Sequence, residues 1–247
     1  MNNIEMEMIY MNKKVIVQIL LNTRFDLNSE WGKLSLTKEW IDYRIDIFMK
    51  YTAVSLKNQS NQDFLAIIRY IDPSEKLVLD ALSKYDLLPE NIIFMKDSKA
   101  NELINEYIKD TDIFYIVRLD SDDMYVPNFM ERLNKVNYYD GLQCIICQDG
   151  YVYDVTSGIL ATWHYPSPTF YTFVYKTSSY LSGERYILEC GHEGAIKLNH
   201  EILPGLNFIF LIHEKNISSR LDNRIDKIII ENEKEKEKLF MDLKIPK

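Results

Sequence analysis

An α/β fold built on a mainly parallel, twisted sheet is the expectation for this 247-residue chain, and three features predict it. Short runs rich in Val and Ile alternate with stretches of helical period. These runs are continuously apolar, as strands covered on both faces are. After about residue 140 the texture changes to short strands dense in aromatic residues, which predicts a smaller antiparallel portion.

The first strand is expected over Lys14–Leu21, a compact apolar run closed by the polar Asn22-Thr23-Arg24. From Leu36 to about Leu56, Trp40, Ile41, Ile45, Phe48 and Met49 recur at helical spacing. Thr37 suits the N-cap, with Trp40 where a capping box would hold Glu. Phe64–Ile71 reads as a second strand, ended by Asp72-Pro73, because a residue before proline is biased away from helix. Ser74–Leu87 has a helical pattern, Asn91–Met95 is a short strand, Ala100–Ile108 another helix and Ile113–Leu119 a third strong strand. Such alternation implies right-handed βαβ crossovers. Gly141–Thr162 predicts two or three short strands and Asn207–Ile212 a last one. Ser218–Leu243 predicts a long terminal helix, whose opposite charges at i,i+3 (Glu231 with Lys234, Glu233 with Lys236) mark a solvated face. No linker or repeat interrupts the chain, so one domain with two halves, about 13–125 and 126–220, is expected, with a helix at about 218–245.

Composition removes several function classes. Glycine contributes 8 residues, and none lies between Gly32 and Gly141. The glycine-built phosphate loops of dinucleotide-binding and P-loop proteins are therefore absent. The formal charge of −8 disfavours nucleic acid, whose binding rests on phosphate neutralisation by Lys and Arg. Three cysteines cannot make a disulfide framework, and Cys144-Ile-Ile-Cys147 has metal-ligand spacing but no second pair to complete a tetrahedral site. Buried thiols are expected. Glu5 and Glu7 stand where a signal peptide is basic, and the longest apolar stretch, Val15–Leu21, is short of the ~20 residues of a membrane span. A soluble, cytoplasmic chain, able to associate peripherally with the inner face of the membrane, follows as the expectation.

The chemistry concentrates in Arg118-Leu-Asp120-Ser-Asp122-Asp123, at the C-terminal end of the third strong strand. Ligands of open α/β sheets bind beyond such strand ends. Clustered carboxylates repel, and Mg²⁺ or Mn²⁺ would relieve the repulsion while bridging to phosphate oxygens. The bland alternative is an acidic turn capping the helix that follows Pro127. An EF-hand is excluded, because Met124 and Tyr125 occupy the fifth and sixth loop positions. A phosphatase of the haloacid-dehalogenase type would place its Asp-x-Asp nearer the chain start, with Thr or Val following. His192-Glu193 begins an H-E-x-x-H pattern, but Ile196 ends it, which removes zinc-protease chemistry. The pair is either a candidate general base or a helix start with Glu in its first turn. His213, directly after the apolar Phe208–Ile212, is either a polar strand cap or a ligand. Residues 151–186 carry ten aromatics, which suit either a sugar-stacking platform or core packing.

On these residues the chain resembles the rhamnosyltransferase family of GT-A-type glycosyltransferases. The matching segments are Asn22-Thr-Arg-Phe25, Glu39-Trp-Ile-Asp-Tyr-Arg-Ile-Asp-Ile-Phe48, Ser55-Leu-Lys-Asn-Gln59 with Gln62-Asp-Phe64, Asp72, Arg118-Leu-Asp-Ser-Asp-Asp123 and His213-Glu-Lys-Asn-Ile-Ser218. They occur in order over residues 13 to about 220. The resemblance implies a GT-A fold, with a nucleotide-sugar-binding half at 13–125 and an acceptor half completing the metal site at 126–220. It implies transfer of a sugar, rhamnose among the options, from a nucleotide diphosphate donor to a glycan or lipid-linked glycan acceptor in surface polysaccharide synthesis. Asp122 would hold a Mn or Mg ion on the donor diphosphate, with Asp120 on the metal or ribose, Asp123 in support and His213 completing the metal site. Thr23, Arg24, Asp72 and Arg118 would border the donor, and His192 or Glu193 would take the acceptor's proton. Two other readings stay open: a sugar nucleotidyltransferase or phosphatase using the same acids, and an inactive carbohydrate-binding module.

Overall fold

The three strongest apolar runs become neighbouring parallel strands. A computed structural model describes residues 11–23, 26–216, 221 and 226–246 of the chain. Strand β1 (Lys13–Leu20) is followed by α1 (Glu30–Leu34), α2 (Lys38–Ile47) and α3 (Ala53–Lys57) before β2 (Leu65–Tyr70). Then come α4 (Glu75–Leu82), β3 (Ile92–Lys96), α5 (Asp97–Ile108) and β4 (Ile113–Arg118). β1 lies between β2 and β4, parallel to both, with Ile19 opposite Ile68 and Val17 opposite Val117. β3 extends this parallel order beyond β2. All but the last residue of β4 are buried, as a strand covered on both faces requires.

The second half adds β5 (Met124–Tyr125), α6 (Phe129–Asn134), β6 (Cys144–Ile146), β7 (Asp149–Asp154), β8 (Ile159–His164), β9 (Tyr171–Lys176) and α7 (Thr177–Leu181). β10 (His200–Ile202), β11 (Phe208–Ile212), β12 (Lys227–Ile229) and α8 (Glu233–Asp242) complete it. These strands divide. β9 pairs antiparallel with both β4 and β6, so the first sheet has seven strands in the order β10-β6-β9-β4-β1-β2-β3. The others form a five-stranded sheet, β12-β8-β7-β11-β5, antiparallel except where β11 lies parallel to β7. Both sheets contribute to one continuous hydrophobic cluster running from Val15 to Ile245.

Several expected boundaries shift for identifiable reasons. The helix expected to Leu87 ends at Leu82, and Leu87 projects into solvent at 98% exposure, in the connection to β3. α5 starts earlier than expected, at Asp97, whose carboxylate favours the first turn. The helix over 38–57 is longer than any single α segment, because one π-helical turn at Phe48–Thr52 joins α2 to α3. The long terminal helix is replaced by β12 and a ten-residue α8. Asn232 resets the chain between them, its side chain accepting hydrogen bonds from the Lys234 and Glu235 amides as an N-cap. Residues 218–220 and 222–225 of that expected helix lie outside the described residues.

The aromatic stretch is chiefly core. Tyr151, Tyr153, Trp163, Phe170, Tyr171, Tyr175 and Tyr180 are buried. Phe170 stacks on Phe208 with centroids 3.9 Å apart, and both meet Trp163 or Phe210 edge-on. A Cβ on Gly150 would sit 2.4 Å from the Phe208 ring, so this position requires glycine for the close approach of β7. Cys144 and Cys147 are buried free thiols, and burial pushes the Cys144 thiol up to about 12.

Candidate functional site

The C-terminal ends of β1, β2 and β4 lie on one edge of the parallel sheet, and each carries a polar group. Beyond β1, buried Asn22 accepts a hydrogen bond from Ile71 N at 3.0 Å and donates to Ser35 O at 3.2 Å and Ser74 Oγ at 3.3 Å. It locks the β1 and β2 ends to the turns that follow them. Thr23 comes next and is half-buried; Arg24 lies outside the described residues. Beyond β2, exposed Asp72 accepts from Ser98 Oγ at 2.6 Å, and that bond lowers its carboxyl below the ordinary value.

Beyond β4 stands the acidic turn, where each carboxylate has its own partner. Arg118 Nη2 donates to both oxygens of Asp120 at 3.0 and 3.1 Å, while its Nη1 donates to Thr169 O at 2.9 Å. On Asp122, one oxygen, Oδ2, receives Arg44 Nη1 at 2.9 Å, lies 3.1 Å from His213 Nε2, and lies 3.5 Å from Asn216 Nδ2. Burial pushes the Asp122 carboxyl up, but Arg44 and His213 outweigh it and hold the group well below the usual carboxylate range. Asp123 is 2% exposed and accepts from Leu211 N at 2.9 Å. Burial, with Asp122 and Asp120 beside it, pushes its carboxyl well above the ordinary value. The reading of these acids as a helix cap is not what is observed. The N-cap position of α6 is Asn128, and Gln59 Oε1 accepts from the Met130 amide at 3.0 Å in that first turn.

Arg44 is the residue that sequence reasoning left without a role. It lies 78 residues from Asp122, yet its side chain is only 13% exposed, with Nη1 on Asp122 and Nη2 donating to Ser121 Oγ. Burial lowers its affinity for a proton, but Asp122, Asp120 and Asp123 together raise it above the ordinary value. Among the described residues its buried Nε has no hydrogen-bond partner, a state that costs roughly 1–3 kcal/mol. A signal was present in the sequence: Arg44 falls on the buried stripe made by Ile41, Ile45 and Phe48, where a charge needs a buried counter-charge. Tyr43, its neighbour, places Oη 2.8 Å from His213 Nδ1.

His213 and Asp122 are brought together, whereas Asp120 is turned to Arg118. Among the described residues no group of three His, Cys, Asp or Glu side chains forms a ready metal cage. The donor set nonetheless fits a divalent ion that arrives with phosphates, since Mg²⁺ is commonly held by one or two carboxylates plus substrate oxygens. Tyr43 Oη suits both tautomers of His213: it donates to Nδ1 while Nε2–H donates to Asp122, or accepts from Nδ1–H and leaves the Nε2 lone pair for a cation.

The candidate base pair is tied to the segment that precedes β9. His192 and Glu193 lie in a 3₁₀ segment, Gly191–Lys197, with Glu193 in the first turn, as the blander reading had it. His192 Nδ1 is 2.7 Å from Ser167 O, Ser167 Oγ donates to His192 O at 2.9 Å, and Tyr165 Oη donates to exposed Glu193 at 2.9 Å. Thr169, four residues beyond Tyr165, is the residue that Arg118 holds. The 165–169 segment therefore links the pair to the Asp120 side of the acidic turn.

No family model and no curated protein matches this chain. Among solved structures it is similar to S. aureus TarS, at TM-score 0.39 and 11% identity over 82% of this chain and 37% of that one. It is also similar to 4-diphosphocytidyl-2C-methyl-D-erythritol synthase from Anaerococcus prevotii, at TM-score 0.36 and 12% identity over 93% and 95%. A cytidylyltransferase from Leptospira borgpetersenii is similar at TM-score 0.38 and 14% identity over 80% and 78%. This chain thus spans little more than a third of the TarS chain, and at these scores none of the three assigns an activity to it.

Proposed function

We propose that this chain is a glycosyltransferase of the GT-A type that uses a nucleotide diphosphate sugar and a divalent cation. One observation carries the reading. At the carboxyl end of β4, Asp122 Oδ2 faces His213 Nε2 at 3.1 Å, on the same sheet edge as Asp120, Asp72 and Thr23. The carbohydrate-binding-module reading needs the acids to serve only as a helix cap, and Arg118 and Arg44 engage Asp120 and Asp122 instead. A nucleotidyltransferase would use the same acids, but the glycine-rich loop usual after its first strand is missing from residues 21–31.

In this mechanism Asp122 and His213 would hold Mn²⁺ or Mg²⁺, which supplies neutralisation of the departing diphosphate. Asp120, fixed by Arg118, would line the donor side, with Thr23 and Asp72 toward the nucleoside; the role proposed for Arg24 falls outside the described residues. Asp123 anchors the turn to β11 through Leu211 N. Glu193, held by Tyr165 and open to solvent, accepts the proton of an acceptor hydroxyl, with His192 the second candidate. The acceptor is a glycan or a lipid-linked glycan. Among the described residues no helix is long and apolar enough to cross a membrane.

Calorimetric titration of UDP, dTDP and GDP, with and without Mn²⁺, tests the reading. At least one should bind with Mn²⁺ present, and Asp122→Asn should weaken that binding at least ~10-fold, about 1.4 kcal/mol. Binding that ignores both metal and substitution, or no binding at all, refutes it.

A further inference from the structure

The oxygen that a cation would take on Asp122 is already engaged by a cation of the chain's own. Arg44 Nη1 lies 2.9 Å from Asp122 Oδ2, the same atom that faces His213 Nε2. A divalent ion entering beside this guanidinium meets its charge at close range in a largely buried setting, where screening is weak. A nucleotide diphosphate reverses the sign of that balance, because its oxygens attract both cations. Arg44 also has a donor to spare: among the described residues its buried Nε meets no partner, while Nη1 and Nη2 are engaged. The present pose therefore leaves one of the strongest hydrogen-bonding groups in the site unused. A guanidinium fork matches phosphate oxygens in two-pronged geometry. The Trp40 ring, 5.8 Å from the Arg44 Cζ, provides a face that tolerates a cation in more than one pose.

We propose that Arg44 is an exchange residue, pairing with Asp122 while the site holds no nucleotide and turning its guanidinium to the diphosphate when one arrives, which frees Asp122 Oδ2 for the metal. The inference rests on the glycosyltransferase reading of the site. It makes metal and nucleotide binding mutually dependent: metal is excluded until the diphosphate arrives, and the diphosphate is received first by Arg44. Such a coupling is reciprocal by thermodynamic necessity.

The test measures Mn²⁺ binding through the electron paramagnetic resonance signal of the free ion, with and without whichever of UDP, dTDP or GDP the wild type binds most tightly. In wild type the nucleotide should tighten Mn²⁺ by roughly 5–150-fold, and Mn²⁺ should tighten the nucleotide by the same factor. Arg44→Met should tighten Mn²⁺ in the absence of nucleotide and weaken metal-free nucleotide binding, each at least ~10-fold, the scale of a lost charge-assisted pair. Arg44→Lys keeps the charge and loses the fork, so it should still exclude Mn²⁺ while binding the nucleotide less well than wild type. Circular dichroism establishes that each variant is folded; if Arg44→Met is not, Arg44→Lys and the wild-type linkage decide. A wild type that binds both ligands, with Mn²⁺ affinity unchanged or weakened in Arg44→Met, overturns this proposal and leaves the site reading standing. Independent binding of Mn²⁺ and nucleotide to wild type overturns it too. A wild type that binds neither overturns both.

Discussion

Three clustered aspartates meet three different sets of partners. Asp120 faces a guanidinium fork, Asp122 faces a guanidinium and an imidazole, and Asp123 faces a backbone amide in a dry interior. The mutual repulsion expected of such a cluster is relieved by two arginines and by burial of the third acid, which favours its neutral form. The turn itself was legible in the sequence, because Asp-x-Asp-Asp after a strong strand marks a strand-end site. The identity of its partners was not: Arg44, His213 and Leu211 lie 78, 91 and 88 residues away along the chain. Since burial shifts Asp123 toward its neutral form and its Oδ1 accepts from Leu211 N, Asp123→Asn keeps the accepting oxygen without the charge. Urea unfolding should find Asp123→Asn within about 1 kcal/mol of wild type. Asp123→Ala strands the Leu211 N–H in the interior and should lose ~1–3 kcal/mol. Equal losses in the two variants would mean that the ionised carboxylate, and not its acceptor oxygen, matters to the fold.

At the scale of elements, the helix running from Lys38 to Lys57 is the part that braces the site. Its side chains at 44, 52 and 55, with Gln59 just beyond, all engage the segment from Ser121 to Met130. Thr52 Oγ1 donates to Asp123 O at 2.9 Å. Ser55 Oγ accepts from Tyr125 N at 2.9 Å and donates to Tyr125 O at 3.1 Å. Gln59 Nε2 donates to Val126 O at 2.9 Å. The π turn at Phe48–Thr52 makes this alignment feasible. It absorbs one residue, so positions 44 and 52, eight apart, stand about as seven would, or two full turns. The helix was legible from its apolar period and from Thr37, whose Oγ1 accepts from Trp40 N at 3.4 Å. The π turn was not, because one residue of overhang alters no hydrophobic pattern. Ser55 works as a substitute strand for β5, satisfying the edge that β11 does not cover. Ser55→Ala should therefore cost about 2–6 kcal/mol in urea unfolding, two buried backbone groups at ~1–3 each. A loss below about 0.5 kcal/mol would show that water or a backbone shift replaces the serine.

For the whole molecule, the question is whether two sheets make one cooperative unit. The parallel pairing of β1, β2 and β4 was legible, though not their order, since each is a long apolar run separated by helical chain. The second sheet was legible only as short strands. Its order depends on pairings across long separations, Tyr151 with Ile209 and Tyr125 with Phe208, which no local pattern encodes. β12 was missed because Lys227-Ile-Ile229 is three residues long and borders a Glu-Lys-rich run. One hydrophobic cluster nevertheless joins Ile145 and Cys147 near the first sheet to Trp163 and Phe210 of the second. A shared core of this kind predicts a single unfolding transition. The chain carries a reporter for each side. Cys144 and Cys147 are buried at β6, while Cys190 is exposed, so a native thiol assay should titrate one cysteine and an unfolded one three. Trp31 is already 46% exposed, so the fluorescence red shift on unfolding reports chiefly on Trp163 in β8, with a smaller share from half-buried Trp40. Across a urea series, the gain of two reactive thiols and the red shift should share a midpoint within about 0.2 M, as two-state unfolding requires. Thiols that become reactive while the fluorescence is still native would show that the seven-stranded sheet opens alone and that the two sheets are separate units.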